Sequence, residues 1–316
     1  MTHTVSKPST RVDVDGLSLK YRPRRINRQA RERLTHYLLL TPALLLSMCI
    51  VLVPAIFTFI TSFTDWNGID LAPAFVGLQN FTEIFDDPIF WVSLRNNVIW
   101  TVLFLTVPVV LGMGSAVLLL KRKKMRAAYQ VIFLLPYVLA SIVNALVWLN
   151  IIYNPLSGLL GYFNDLGWEL QSPLANLDTA IYGVAAVDIW HYWGFLTVVY
   201  LAALRQTPVE QVEAALLEGA NGFQIFRYVY LPNIKSTVQL MFVLIVIFSF
   251  LAFDYVYLMT QGGPAHSTEV LGTYAYSFAF STFQFGKAAA VALVMGLFGL
   301  LASFLYTFVS RKDLSA

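Results

Sequence analysis

Inside one long apolar run, residues 180–204, lies a set of side chains that apolar packing does not require: Asp188, Trp190, His191, Tyr192 and Trp193. Two further apolar runs carry Asn144 with Trp148, and Asp254 with Tyr255 and Tyr257. Carboxylates, amides and hydroxyls beside aromatic faces suit a sugar, whose hydroxyls need hydrogen-bond partners and whose C–H faces stack on rings. The same side chains also act as hydrogen-bonding glue between membrane helices. Ligand contact and helix packing therefore both stand as readings of Asn144, Trp148, Asp188, Trp190, Tyr192, Asp254 and Tyr255. Metal and nucleotide chemistry find no such foothold. His3, His36, His191 and His266 are scattered, and no H-E-x-x-H occurs. The one cysteine, Cys49, excludes an intrachain disulfide and a multi-cysteine metal site. Without a G-x4-G-K-[ST] phosphate loop, the chain is expected to bind no ATP, and no other cofactor, by itself.

The elements that must hold these residues are of membrane length. Of 316 residues, 58% are apolar and 12% charged, whereas a soluble domain carries about a quarter charged residues. The apolar residues come in blocks of ~20 or more, enough to cross ~30 Å of hydrocarbon as helix. The expectation is an all-α membrane protein with six transmembrane helices, at about 37–63, 91–120, 128–152, 180–204, 236–259 and 287–309. A basic tail, residues 1–36, precedes the membrane domain of 37–316 and is expected to be flexible.

Orientation follows from the basic residues. Lys7, Arg11, Lys20, Arg22, Arg24, Arg25, Arg28, Arg31 and Arg33 precede the first span, and Lys121, Arg122, Lys123, Lys124 and Arg126 follow the second. Arg205, Arg227 and Lys235 lie between spans four and five, and Arg311 and Lys312 after span six. Of the 21 Lys and Arg, only Arg95 and Lys287 fall elsewhere. The positive-inside rule then places both termini in the cytoplasm. The connections at 64–90, 153–179 and 260–286 lie outside, long enough for short interfacial helices.

Residues 205–235 are the most informative stretch. Thr207-Pro208-Val209-Glu210 reads as a capping box with proline at the first helical position, Gly219 as a helix-ending residue, and Asn221-Gly222 as a turn into a second helical stretch stopped or kinked at Pro232. On geometry alone, a hairpin that merely connects two spans is the simpler account. The residue string adds more. Glu213-Ala214-Ala215, then Gly219, then Val229-Tyr230-Leu231-Pro232 resembles the E-A-A-x3-G-x9-I-x-L-P loop of binding-protein-dependent ABC importer permeases. Val229 stands where isoleucine is usual, and Glu218 where aspartate is common. Leu40-Thr41-Pro42-Ala43, Ser62-Phe63-Thr64-Asp65-Trp66, Val76-Gly77-Leu78-Gln79-Asn80-Phe81, Leu135-Pro136 with Trp148, and Thr260-Gln261-Gly262-Gly263-Pro264 are similar to sugar-type members, the maltose and glycerol-phosphate group.

The resemblance implies the type I ABC importer permease fold, with a cytoplasmic coupling helix between spans four and five. Glu213, Ala214, Ala215, Gly219, Leu231 and Pro232 would then contact the ATPase subunits, with Glu213 and Gly219 at the centre of the contact. It implies as partners an ABC ATPase dimer holding ATP and magnesium, a second and different permease, an extracytoplasmic solute-binding protein, the lipid bilayer and a sugar, but no nucleic acid. The chain would be a non-catalytic transport subunit of a bacterial cytoplasmic membrane. Two other classes explain less. A secondary transporter or channel could use Asp188 and Asp254 as ion couplers, yet it leaves the 205–235 loop unexplained and finds no strong repeat between halves. A membrane enzyme lacks a catalytic constellation.

Small residues at Ala289, Ala292, Gly296, Gly299 and Ser303 form a stripe along span six, which reads as a helix-packing face.

Overall fold

The computed structural model describes residues 28–122 and 124–314. The basic residues from Lys7 to Arg25, and Lys123, lie outside them. Among the described residues the structure is helical, with one isolated bridge between Thr64 and Phe75.

The chain divides into two units, residues 1–54 and 55–316. In the first, α1 (Arg28–Ser47) passes into a π-helical turn, Met48–Leu52. Pro42 sits inside α1, and the residue before it, Thr41, donates its Oγ1 hydrogen to the carbonyl of Tyr37, one turn earlier, at 2.6 Å. The second unit opens within α2 (Val53–Thr61), followed by α3 (Gln79–Asp86), α4 (Pro88–Lys121), α5 (Arg126–Val138), α6 (Ser141–Val147) and α7 (Leu159–Asp165). Then come α8 (Ala180–Leu204), α9 (Val209–Leu217), α10 (Gly222–Ile225), α11 (Leu231–Asn233), α12 (Lys235–Phe250), α13 (Asp254–Met259), α14 (Leu271–Phe280) and α15 (Phe285–Leu314). Short helices α3, α7 and α14 occupy the three connections expected to carry them.

Four stretches are helical and apolar over membrane-crossing lengths: Tyr37–Thr61, Pro88–Lys121, Ala180–Leu204 and Phe285–Phe308. Two more candidates arise if each of two bent pairs is taken as one span. Arg126–Val138 meets Ser141–Ile152 at 97°, and Gly222–Asn233 meets Lys235–Phe250 at 73°. The expected span 128–152 is thus interrupted, because Leu139 and Ala140 are extended, each with ψ of 143°. The expected span 236–259 likewise stops at Phe250 and restarts as α13. The kink expected at Pro232 falls two residues later, at Ile234: the helix runs on from Gly222 through a π-helical turn, Phe226–Tyr230, and past Pro232 to Asn233 before it bends.

The main core forms where α4 lies along α8, with Trp100, Phe104, Val184, Leu196, Tyr200 and Leu204 buried between them and their neighbours. α5 crosses α8 at Gly194, where any Cβ would collide with the carbonyl of Phe133; only glycine allows that approach. A second core joins α12, α14 and α15 through Phe250, Leu271, Tyr274, Ala290 and Val291.

Interrupted helices leave backbone groups without donors or acceptors, and an apolar medium makes these expensive. Side chains supply the partners. Asn144 Nδ2 donates to the carbonyl of Pro136 near the end of α5, at 2.9 Å. From α4, Asn97 Nδ2 donates to the carbonyl of Ser249 at 2.7 Å, while its Oδ1 accepts from the first N–H of α14, that of Leu271, at 2.8 Å. Its neighbour Asn96 donates to the carbonyls of Ser267 and Glu269, at 2.9 and 2.8 Å. Both asparagines are fully buried.

Candidate functional site

Two regions carry the candidate residues: the loop after α8 and a cavity among the interrupted helices. In the loop, α9 starts one residue later than expected. Pro208 is extended, with ψ of 131°, and stands just before the helix instead of in its first turn. Thr207 is consequently carried out of register, and its buried Oγ1 finds no hydrogen-bond partner among the described residues, so the expected box with Glu210 does not form. The end of α9 follows expectation. Gly219 adopts φ of +83°, and the N–H groups of Gly219 and Ala220 return to the carbonyls of Leu216 and Ala215, both at 3.0 Å. The capping box belongs to α10: Asn221 Oδ1 accepts from the N–H groups of Phe223 and Gln224, and Gln224 Oε1 accepts from the Asn221 N–H.

The two arms of this hairpin are tied together by Asn233, whose Nδ2 donates to Gln211 Oε1 at 2.8 Å and to the carbonyl of Val229 at 2.7 Å. Glu213, Ala214, Gly219 and Pro232 are exposed; Ala215 and Leu231 are partly covered. Leu217 is 90% exposed, and Val209, Leu216, Phe223 and Tyr228 are also uncovered. A hairpin with its backbone ends satisfied and its apolar side chains bare has the build of a contact surface.

The cavity, about 280 Å³, opens where the α5–α6 and α12–α13 breaks meet beside α8. Ser141 Oγ donates to Asp254 Oδ2 at 3.3 Å, and Asn144 Nδ2 to Tyr255 Oη at 3.2 Å, joining the two breaks. Asp188, Tyr192, Asp254 and Tyr255 line it, together with Trp100, Tyr137, Ser141, His191 and Ser249. Asp188 and His191 sit one turn apart, Oδ1 to Nδ1 3.6 Å, an ion-pair separation too long for a hydrogen bond. Tyr137 stacks on both His191 and Phe195, with centroids 5.1 and 4.7 Å away.

The remaining candidates lie behind the wall. Asn144 is fully buried, spent on the α5 terminus and Tyr255. Trp148 packs edge-on against Trp190 at 5.7 Å and against Tyr153 at 5.2 Å. Sequence reasoning passed over Trp100, Tyr137, Ser141 and Ser249, and the paired Asn96 and Asn97. The asparagine pair had a signal, two consecutive amides directly after Arg95 in a helix that is apolar over most of its length. Ser141 and Ser249 had none.

Where α3 meets the start of α15, Lys287 Nζ lies 2.6 Å from Glu83 Oε2, and Gln79 Nε2 donates to Glu83 Oε1 at 2.7 Å. The hydrogen bond from Lys287, then that from Gln79, holds the Glu83 carboxyl below its usual range. Tyr274 Oη donates to Asp87 Oδ2 at 2.6 Å; burial first, then this carboxylate, pushes the phenol up.

The family model for the inner membrane component of binding-protein-dependent transport systems matches residues 108–312, a stretch that holds both the hairpin and most of the cavity wall. The chain belongs to this family. Over 278 residues it is 34% identical to a probable ABC transporter permease protein of Pyrococcus horikoshii, covering 87% of this chain and 95% of that one. It is 32% identical to the diacetylchitobiose uptake system permease protein of Streptomyces coelicolor, covering 92% and 86%. A solved bacterial ABC transporter involved in importing the acidic polysaccharide alginate shares the fold at a TM-score of 0.79 and 20% identity, over 90% of this chain and 98% of that one. Like its relatives, this inner membrane component is a transport subunit, and its apolar helices are membrane-spanning.

Proposed function

We propose that this permease, paired with a second and different one, forms the translocation path for a sugar delivered by an extracytoplasmic binding protein. It is driven through the 207–232 loop by an ATPase dimer that holds ATP and magnesium. Six spans with both termini in the cytoplasm suit that role, because the hairpin then projects on the side where ATP is available. The observation that carries the reading is the hairpin itself. It sets Glu213 and Gly219 on an exposed, internally braced surface, with Leu217 almost fully bare. Docked in a cleft of the ATPase, such a knob transmits closure of the nucleotide engine to α8 and α12, the two long helices it connects.

On this reading Asp188, Tyr192, Asp254 and Tyr255 face the passing sugar, while Asn144, Trp148 and Trp190 hold the helices that present them. The interrupted α5–α6 and α12–α13 segments supply polar groups at a depth where continuous helices could not. Sugar relatives support the substrate class: the Streptomyces coelicolor permease is named for diacetylchitobiose uptake. The test is uptake by the assembled complex in proteoliposomes, with its binding protein outside. ATP-dependent sugar uptake that stops when the ATPase is inactivated supports the proposal. Uptake that continues under an ion gradient alone would mark the chain as a secondary carrier.

A further inference from the structure

The ionisable groups around the cavity have one sign. Among the described residues, Asp188 and Asp254 line it, no Lys or Arg does, and His191 is the sole group there able to become cationic. Its walls also hold polar atoms that the protein leaves unused. Ser249 is 2% exposed and lines the cavity, yet its Oγ has no hydrogen-bond partner among the described residues. Tyr192 Oη, on another lining residue, likewise has no hydrogen-bond partner among the described residues. Buried polar atoms without partners are costly, and a ligand rich in hydroxyls would satisfy them. The two carboxylates offer acceptor positions to hydroxyl or ammonium donors alike. A ligand carboxylate or phosphate would instead be stripped of water beside Asp188 and Asp254 with no lysine or arginine in the lining to compensate.

We propose that Asp188 and Asp254 make this cavity a charge filter, which accepts uncharged or amine-bearing sugars and rejects acidic ones. The inference rests on the cavity being the sugar path and adds which sugars that path admits. The fold does not dictate the preference, since a transporter for an acidic polysaccharide shares it. The residues lining the break do.

Binding to the whole transport complex in nanodiscs, without the binding protein, isolates the permease's own preference. Saturation-transfer NMR with maltotriose, a glucosamine trimer and trigalacturonate compares a neutral, a basic and an acidic probe of equal length. The expected result is binding of the first two, with the acidic trimer weaker by about tenfold or more. Replacing both carboxylates, Asp188→Asn with Asp254→Asn, should bring trigalacturonate to within about twofold of maltotriose and weaken the glucosamine trimer about tenfold. Equal binding of the acidic and neutral trimers by the unmodified complex overturns the filter and leaves the sugar path standing. Unchanged discrimination in the double variant overturns the filter too, and a thermal midpoint matching that of the unmodified complex shows that the variant is folded. Absence of binding by every trimer overturns both readings.

Discussion

The 207–232 hairpin and the cavity beside α8 use the same kinds of residue in opposite ways. In the hairpin, polar side chains complete the backbone: Asn221 caps α10, Asn233 ties the arms, and Gly219 closes α9. Its apolar residues remain bare. In the cavity the backbone is broken twice, and Ser249 and Tyr192 keep hydroxyls without a hydrogen-bond partner among the described residues. Their neighbours Asp188 and Asp254 bring charge where apolar surroundings make it expensive. The difference teaches a division of labour. A part that passes force between subunits is internally satisfied and stiff. A part that receives a hydrogen-bonding ligand is left incomplete until that ligand arrives.

The largest effect should come from the hairpin's centre. Glu213→Lys and Gly219→Ile should each lower uptake by about a hundredfold or more, equivalent to ~2.7 kcal/mol, with insertion into the membrane unchanged. For Gly219 the backbone contributes, since a left-handed φ of +83° costs a branched residue ~1–2 kcal/mol. Nothing lies within 4 Å of the position its Cβ would take, so any further loss arises at the partner. Normal uptake in both variants would erase the contrast between the regions.

Breaking the support behind the cavity should act on stability first. Asn97→Leu leaves the Ser249 carbonyl and the Leu271 N–H unpaired, at about 1–3 kcal/mol for each group. The thermal midpoint of the purified complex should fall, and ATPase subunits that survive assembly should still copurify.

These supports were the part of the fold least legible in the sequence. Hydropathy sums over ~20 residues and locates spans well, but it carries no record of whether the backbone inside a span is continuous. Leu139-Ala140 and Leu251-Ala252-Phe253 are as apolar as their neighbours, so neither break announced itself. Gly219 was readable because a positive φ nearly demands glycine. The Thr207 capping box was misread because Pro208 is extended, which shifts the helix start by a single residue. Of the polar candidates, Asp188, Tyr192, Asp254 and Tyr255 reach one cavity, whereas Trp148 and Trp190 pack on each other. Residue type alone does not separate those two fates.

Tyr192→Phe gives a smaller and more local test of the same contrast. It removes one unpaired hydroxyl from the cavity wall. The apparent KM for sugar should rise about fivefold, close to 1 kcal/mol, with maximal rate and ATPase association little changed. Transport kinetics identical to the unmodified protein would return the residue to packing.

The smallest effect concerns the ion pair between α3 and α15. Glu83 has its carboxyl held down by Lys287, so its contribution is present above the unfolded carboxylate range and lost as pH falls through the lower folded value. With the Glu83 side chain 39% exposed, solvent screening keeps this under about 1 kcal/mol. Lys287→Met should flatten that acid limb in a pH series of thermal midpoints.

The central claim is that the hairpin meets the ATPase, and chemical capture tests it directly. Cys49 is the one native cysteine, so a Cys49→Ser background allows a single thiol-linked photo-crosslinker at each chosen position. Installed through Leu217→Cys on the hairpin, it should capture an ATPase subunit in the assembled complex; installed through Leu166→Cys on the connection before α8, it should not. Capture at neither position, or at both alike, would contradict the account.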